Sequence, residues 1–251
     1  MFEGKTVIIS GGVGGIGFAT AQKFALLGAN IALGDIKSKD EAKSAILSIE
    51  KLGVKCMYTA LDISNAVQVK NWIDEVHSTL GLPTLIIVNA AITRLSSFQE
   101  TSALQWEGDI GVNVNGAFYM SKYATELLKE NKEPGRVVFV GSWAAQHVHS
   151  HMPSYSVSKA AVQMLNKCLA LELAPYGILV NEIAPGYVDA GLSGRIWDEN
   201  PGRRERAAER VPTKTVITAE EVAENIIFLC NPLNRHMVGS TLLMDGGLSL
   251  Q

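Results

Sequence analysis

The chain has 251 residues, of which 47% are hydrophobic and 19% charged, a composition typical of a globular α/β protein that excludes an intrinsically disordered one. Its formal net charge of -3 predicts neither a nucleic-acid partner nor attraction to an anionic membrane surface. The three cysteines have neither disulfide nor metal-ligand spacing, and no apolar run has the length of a membrane span. We therefore expect a cytoplasmic protein that forms a single domain over residues 1–251.

Short apolar runs alternate with segments of helical periodicity along the chain. In chain order, strands are predicted at residues 5–10, 30–34, 55–60, 85–89, 135–140, 179–183 and 241–244. Helices are predicted at residues 16–27, 42–52, 67–80, 103–131, 154–173 and 219–230, and the fourth is expected to be irregular near its glycines. This alternation predicts a doubly wound (Rossmann-type), mostly parallel sheet of about seven strands with helices on both faces. Ligands bind such sheets at the carboxyl ends of the strands.

A glycine-rich stretch at residues 10–17 (SGGVGGIG) joins the first strand to the first helix. Glycines there let the backbone turn sharply and approach a pyrophosphate, and the helix N-terminus presents free N–H groups to the phosphates. A tight turn would explain the glycines alone, but their position between strand and helix favours a dinucleotide site.

Asp35 ends the second strand, where a carboxylate accepts hydrogen bonds from an adenosine ribose diol and repels a ribose phosphate. Lys37 and Lys39 lie nearby and would attract such a phosphate, but neither directly follows the acid. The arrangement favours NAD, the alternative being that Asp35 only caps the next helix.

Tyr155 and Lys159 lie four residues apart at the start of a predicted helix and so share one face. A lysine ammonium beside a phenol lowers the phenol's pKa from about 10, which suits proton transfer near neutral pH. Ser142 directly follows a strand, where its hydroxyl would reach a substrate oxygen. Asn113 lies among glycines within a predicted helix, where a kink would free backbone groups to hold a water. Each residue alone has an ordinary structural explanation.

Taken together, these motifs resemble the short-chain dehydrogenase/reductase family over nearly the whole chain. Residues 10–17 resemble its Thr-Gly-x-x-x-Gly-x-Gly loop, and residues 245–247 (DGG) its C-terminal signature. The match to its catalytic tetrad comprises Asn113, Ser142, Tyr155 and Lys159. Asp62 and Ile63 match the pair that touches adenine, and residues 88–91 (VNAA) stand where Asn-Asn-Ala-Gly is usual. The segment that cradles nicotinamide is matched by Asn181, Pro185, Gly186 and Val188.

The resemblance implies hydride transfer between nicotinamide and a carbon atom, with no metal. It implies that Tyr155 exchanges a proton with the substrate oxygen, and that Lys159 lowers the pKa of Tyr155 and binds the nicotinamide ribose. It implies further that Ser142 orients the substrate and that Asn113 holds a water in a proton relay. The residues implied to bind the cofactor are Gly11, Gly15, Ile16, Gly17, Asp35, Asp62, Ile63, Asn89, Tyr155, Lys159, Pro185, Gly186 and Val188. Three positions depart from the family pattern, namely Val88, Ala91 and Ala190.

Residues 190–215 carry few large apolar side chains and follow a strand end, so they are predicted to form a mobile substrate lid. The lid contains Arg195, Arg203, Arg204, Arg206 and Arg210, interleaved with Asp198, Glu199, Glu205 and Glu209. Such a mixture indicates either an anion-binding surface or a solvated helix face. Trp143, Tyr187 and Trp197 either line the pocket or pack in the core. His147, His149 and His151 alternate in one loop, as metal ligands, pocket lining or solvated residues.

The sequence therefore predicts an NAD-dependent oxidoreductase that acts on a secondary alcohol or ketone, with a polyol, a sugar or a hydroxy acid as its small-molecule substrate. One alternative is an NADPH-dependent reductase of carrier-bound 3-oxoacyl groups, which would expose a basic docking surface. The other is a non-catalytic dinucleotide-sensing protein, against which the intact tetrad argues. A homotetramer is implied by the resemblance, and the apolar helices after residues 103 and 154 support it more weakly.

Overall fold

The computed structural model describes residues 1–148, 151–191, 194, 197 and 202–250. Its strands form one sheet of seven in the order β3-β2-β1-β4-β5-β6-β7, and every pair of neighbours is parallel. The strands are β1 (Thr6–Ser10), β2 (Asn30–Asp35), β3 (Cys56–Ala60), β4 (Pro83–Val88), β5 (Gly135–Val140), β6 (Ile178–Pro185) and β7 (Thr241–Met244). The predicted doubly wound parallel sheet is confirmed.

Helices cover both faces of this sheet. The α-helices are α1 (Gly15–Leu26), α2 (Lys39–Glu50), α3 (Ala66–Leu80), α4 (Ala103–Ile110), α5 (Ala117–Glu130), α6 (Pro153–Leu173), α7 (Arg203–Arg210) and α8 (Ala219–Cys230). Short 3-10 turns are formed by Trp143–Ala145, Ala174–Tyr176 and Leu248–Leu250. Within the described chain, no helix is long and apolar enough to cross a membrane.

The hydrophobic core consists of two layers that the sheet separates. Successive residues of a strand point to opposite faces, so Val7 and Ile9 of β1 join one layer whereas Ile8 joins the other. The first layer is closed by α1, α2 and α8, and the second by α3, α5 and α6. All of β1 is buried, as expected for a central strand covered on both faces.

The irregularity predicted in the helix over residues 103–131 is a π-helical turn, Gly111–Gly116, between α4 and α5. Gly116 lies directly against Ile63, where a Cβ atom would come within 2.8 Å of the isoleucine side chain. Asn113 lies within this wide turn and is buried. The turn therefore brings a polar side chain from a helix to the edge of the sheet.

The described part of the predicted lid after residue 202 is anchored more firmly than its composition predicts. Residues 203–210 form α7, which buries Ala207, and Val211 is buried directly after the helix. Both pack in a small apolar cluster with Trp143 and Tyr187. A bridge between Val188 and Ile217 closes the two ends of the excursion. The predictions made for His149, Arg195, Asp198 and Glu199 lie outside the described residues.

Candidate active site

A groove of about 460 Å³ runs along the carboxyl ends of the strands. It is lined by most of the residues implied to bind cofactor or substrate: Gly11, Gly15, Ile16, Asp35, Asp62, Ile63, Asn89, Ser142, Tyr155, Lys159, Pro185, Gly186 and Val188. Among the predicted site residues, Gly17 and Asn113 do not line it. The departures Ala91 and Ala190 lie in the same lining. The predicted site thus comes together along one edge of the sheet.

The glycine loop is held tightly against the start of α1. Gly17 is buried there, and a Cβ atom at this position would meet the Gly11 carbonyl oxygen at 2.2 Å. Gly17 therefore permits close packing of loop and helix and does not face the groove. Gly14 is the N-cap of α1 and lines the groove with Gly15 and Ile16, so the start of this helix, where backbone N–H groups lack helical partners, borders the groove.

Asp35 lies half-buried at the end of β2, beside the glycine loop. Its carboxylate accepts hydrogen bonds from the backbone N–H groups of Val13 at 3.2 Å and of Lys37 at 3.3 Å. It does not cap α2, because Ser38 and Glu41 form a reciprocal capping box at that helix start. The alternative explanation of Asp35 as a cap is therefore wrong.

Two asparagines of the matched motifs hold backbone segments together. The Asn89 amide donates to the carbonyl oxygens of Ser10 and Gly11, at 2.9 and 3.1 Å, so it ties the end of β4 to the glycine loop. The Ser10 hydroxyl accepts from the N–H groups of Asn89 and Ala90. Asn181 is buried in β6, donates to the Met237 carbonyl oxygen and accepts from the Ser240 N–H. Asn181 thus fixes the chain before β7 and does not line the groove.

Tyr155, Ser142 and Lys159 cluster in the wall of the groove, with Ser142 and Lys159 buried and Tyr155 partly buried. Burial raises the pKa of the Tyr155 phenol, while a hydrogen bond with Ser142 lowers it. The Lys159 ammonium donates to the Val140 carbonyl oxygen at 2.7 Å and lies 5.6 Å from the centre of the Tyr155 ring. Burial lowers the pKa of Lys159 to about 8. Burial is therefore the largest influence on the pKa of Tyr155, and the lowering by Lys159 that the resemblance implies stays a prediction.

A hydrogen-bond network fixes the first turn of α6, which carries Tyr155. The Asn113 side-chain oxygen accepts from the Ile92 N–H at 2.8 Å, and its amide nitrogen donates to the Ile92 carbonyl oxygen at 2.9 Å. The same nitrogen donates to the Ser158 hydroxyl at 3.0 Å. Ser158 in turn donates to the Tyr155 carbonyl oxygen at 2.7 Å. The Asn113 side chain is thus engaged in positioning α6, and its implied role with a water remains a prediction.

A second cavity, of about 400 Å³, opens beside the first and shares Ser142, Tyr155 and Gly186 with it. Its walls are mostly apolar and aromatic, and one side is formed by α7. The remaining lining residues are Thr93, Leu95, Trp143, Ala144, Met152, Tyr187, Trp197, Arg203, Arg206, Ala207 and Arg210. The three aromatic residues considered above therefore line the pocket. The shared residues place Tyr155, the predicted proton-transfer group, between a long groove and a smaller pocket.

A family model described as enoyl-(acyl carrier protein) reductase matches residues 11–249. The chain belongs to the short-chain dehydrogenase/reductase family. It is 31% identical over 246 residues to a 3-oxoacyl-[acyl-carrier-protein] reductase of Thermotoga maritima, with 98% of each chain covered. It is 30% identical over 248 residues to 3beta-hydroxysteroid dehydrogenase 1 of Eggerthella lenta, with 99% of this chain and 95% of the relative covered.

A solved structure from Agrobacterium tumefaciens, provisionally assigned as a 2-deoxy-D-gluconate 3-dehydrogenase and holding NADP, superimposes on the chain with a TM-score of 0.88. The two are 27% identical, and 99% of this chain and 98% of that chain are covered. The protein is therefore an oxidoreductase of this family that acts on alcohol or ketone groups and uses a nicotinamide cofactor.

Glu182 is a charged residue of this dehydrogenase/reductase that the sequence patterns do not reveal. It lies in the middle of β6 with no solvent exposure, and it accepts hydrogen bonds from Thr241 at 2.5 Å and Gln163 at 3.3 Å. Its carboxylate packs against Gly141, where a Cβ atom would clash with Oε1 at 1.9 Å. Burial raises the pKa of Glu182, and Lys159 opposes that rise. Glu182 thus places a carboxylate behind the lysine of the site.

The described histidines of the loop before α6 do not share one position. His147 stacks on Trp143, with ring centres 6.1 Å apart, whereas His151 is exposed and has a positive φ of 63°. Neither lines the groove or the pocket. Among the His, Cys, Asp and Glu side chains that the structure describes, no group of three is placed to hold a metal ion.

Proposed function

We propose that the protein is an NAD-dependent dehydrogenase that oxidises a secondary alcohol group of a polyol, a sugar or a hydroxy acid. The observation that carries the proposal is the position of Tyr155 and Ser142. Both line the groove that suits a dinucleotide and the pocket that suits a substrate, so they lie where the two would meet. An acid–base group at such a junction is placed to serve the carbon that exchanges hydride.

The lining of the groove would place each part of a dinucleotide beside a predicted partner. The N-terminus of α1 would bind the pyrophosphate, Asp62 and Ile63 would lie by the adenine, and Pro185 and Gly186 by the nicotinamide. Gly15 and Ala190 approach each other closely in the groove wall, since a Cβ atom added to Gly15 would lie 2.6 Å from the Ala190 Cβ. When bound, the nicotinamide would accept or donate the hydride.

We infer a preference for NAD from the chemistry around Asp35. Its carboxylate lines the groove end and would accept hydrogen bonds from a ribose diol. The residue after Asp35 in the described groove lining is the apolar Ile36, and neither Lys37 nor Lys39 lines the groove. The related structure from Agrobacterium tumefaciens holds NADP, so the choice of cofactor needs a direct test.

Proton transfer in this proposal runs through Tyr155. A raised pKa keeps the phenol protonated at neutral pH, which suits donation to a ketone oxygen. To accept a proton from an alcohol, Tyr155 needs the phenolate to be supported by a nearby positive charge. Lys159 is the buried cation within reach of its ring, and Ser142 donates or accepts a hydrogen bond at the same oxygen. Asn113 would hold the first turn of α6, which carries Tyr155, through Ser158.

We also propose that the enzyme is a single-domain homotetramer of the cytoplasm. The helix α6 exposes an apolar stripe at seven-residue spacing, in which Val157 is 48% exposed, Met164 57% and Leu171 82%. Exposed apolar stripes of this kind mark contacts between subunits. The number of subunits comes from the family resemblance. The segment 190–215, of which α7 lies over the substrate pocket, is proposed as its lid.

The test is a turnover screen of the purified enzyme. NAD and NADP are each offered with polyols, sugars and hydroxy acids, and formation of the reduced cofactor is followed by absorbance. NAD-dependent oxidation of at least one such alcohol, lost in Tyr155→Phe, is the expected result. Cofactor binding without turnover of any alcohol or ketone would instead identify the non-catalytic dinucleotide-sensing protein.

A second candidate function is favoured by the relative from Thermotoga maritima, a 3-oxoacyl-[acyl-carrier-protein] reductase that the chain matches over 98% of its length. That function requires NADPH, against which Asp35 argues, and a basic docking surface, whereas the chain has a net charge of -3. Reduction of a 3-oxoacyl thioester with NADPH, faster than any NAD-dependent oxidation, would establish it in place of the first proposal.

A further inference from the structure

Three arginines line one wall of the substrate pocket. Arg203, Arg206 and Arg210 all lie on α7 and all contribute to the lining. Their spacing of three, four and seven residues places them on one face of the helix. In the sequence these arginines alternate with acidic residues, a pattern that fits either a ligand-binding face or a solvated one. The structure orients this face of α7 towards the pocket that contains Tyr155 and Ser142.

The acidic residues of α7 lie away from this wall. Glu205 and Glu209 are exposed and are not among the residues that line the pocket. Arg204, one position along the helix, is also outside the lining and forms an ion pair with Asp189 at 2.6 Å. The helix therefore separates its charges: Arg204 is paired outside the pocket, whereas Arg203, Arg206 and Arg210 line its wall, Arg203 half-buried and the other two exposed to solvent.

The three arginines of the pocket wall have no carboxylate partner among the described residues. The ion pairs of the described chain do not include them, and no acidic residue lines the described part of the pocket. Arg210 lies over the Tyr187 ring, with the guanidinium carbon 5.9 Å from the ring centre. Arg203 is half-buried, although an unpaired cation is costly to desolvate.

This wall has the properties of an anion site. A guanidinium presents a planar fork of N–H donors that binds carboxylate, sulfonate or phosphate oxygens in pairs. Three such groups on one helix face repel one another, and an anion bound between them would relieve that repulsion. The described pocket has guanidinium donors on its α7 wall and has Tyr155 and Ser142 on another wall. One small molecule with an acid group and an alcohol group would therefore contact both walls.

We infer that the substrate carries an acid group that Arg203, Arg206 and Arg210 bind, while its secondary alcohol faces Tyr155 and Ser142. The inference rests on the proposed dehydrogenase function and narrows it to hydroxy acids and acidic sugar derivatives. Carboxylates and phosphate esters share the chemistry that these arginines recognise. Neutral polyols and unmodified sugars lack it and bind poorly.

The experiment compares matched acid and neutral alcohols in NAD-loaded enzyme. Steady-state kinetics are measured with 3-hydroxybutyrate against its methyl ester, gluconate against sorbitol, and glycerol 3-phosphate against glycerol. The carboxylate and phosphate pairs distinguish the two sources of the anion. Wild-type enzyme is expected to favour an acid over its neutral partner by about tenfold or more in kcat/KM, which equals about 1.4 kcal/mol.

Variants of α7 connect this preference to the arginines. Arg206→Ala and Arg210→Ala are expected to raise KM for the preferred acid about tenfold each and to leave the neutral partner within about twofold. Arg206→Lys keeps the charge but loses the fork, so it should fall between the two. Arg204→Ala is the matched control, because this neighbouring arginine lies outside the pocket and should change neither substrate.

A binding measurement separates failure of the inference from failure of the proposed function. Malonate, a dicarboxylate without a hydroxyl group, is titrated into NADH-loaded enzyme by calorimetry, and Arg206→Ala should abolish its binding. Equal kcat/KM for acid and neutral partners, or equal losses for both in the variants, would overturn the inference while leaving a dehydrogenase. Preference for a carrier-bound thioester over every free acid would also overturn it. If no alcohol is oxidised, the proposed dehydrogenase function is wrong. Malonate binding that is lost in Arg206→Ala would then still support the anion site, and absence of malonate binding would reject it.

Discussion

Removing the charge of Asp35 is expected to reverse the cofactor preference. Asp35→Asn keeps an oxygen acceptor for the N–H groups of Val13 and Lys37, so the turn between β2 and α2 should survive. The capping box of Ser38 and Glu41 holds the start of α2 independently of this residue. The substitution therefore tests the carboxylate charge and not the local fold.

The magnitude follows from two contributions. A hydrogen bond to a charged acceptor exceeds a neutral one by about 1 kcal/mol, so losing charge at two ribose hydroxyls weakens NAD by about 2 kcal/mol. With the full screening of bulk water, relief of repulsion from a doubly charged ribose phosphate about 4 Å away strengthens NADP by about 2 kcal/mol. Together these change the ratio of NADP to NAD affinity by about a thousandfold.

The assay measures dissociation constants of NAD and NADP by calorimetry for wild-type protein, Asp35→Asn and a control. Asp40→Asn is the matched control, because Asp40 is an exposed carboxylate in the first turn of α2 that does not line the groove. The control should leave both constants unchanged. A ratio that moves less than about threefold in Asp35→Asn would refute the reasoning, since it would show that the carboxylate does not face the ribose.

Three further predictions concern the lysine, its buried neighbour and the assembly. Lys159→Met should abolish turnover and weaken NAD by about tenfold or more in calorimetry, because the ammonium serves both the phenolate and the ribose; unchanged affinity would exclude the ribose contact. The Glu182 charge raises the pKa of Lys159, which lies at about 8, so Glu182→Gln should make NAD binding weaken at a lower pH than in wild type. An unchanged pH profile of NAD binding would limit Glu182 to a packing role. Met164→Asp should dissociate the tetramer in sedimentation, because it charges the exposed stripe of α6; a wild-type protein that sediments as a monomer contradicts the assembly.

The fold is readable from the sequence because each strand is a short apolar run between turns. The strand predicted at residues 179–183 was nevertheless too short. In the structure β6 continues to Pro185, which pairs with Met244 of β7. That extension depends on a partner strand about 60 residues away, and a local pattern does not contain it. It matters for the site, because the end of β6 carries Pro185 and Gly186 into the groove.

Other features of the site depend on contacts between distant residues. The helix α7 is short and rich in charge, so its burial of Ala207 and the placement of its arginines in the pocket wall are set by packing on Trp143 and Tyr187. Glu182 is a single acid inside an apolar strand, and only the structure brings it to Thr241 and Gln163. Sequence motifs locate the groups that do the chemistry, whereas the residues that orient them come from elsewhere in the fold.

The most direct test of the account is the behaviour of Tyr155→Phe with the best alcohol found in the screen. Phenylalanine keeps the ring in its partly buried position and removes only the oxygen that exchanges the proton. The account predicts that kcat falls by about a thousandfold or more, while the dissociation constant of NAD changes by less than about threefold. A variant that keeps more than about a tenth of the wild-type kcat would contradict proton transfer by Tyr155.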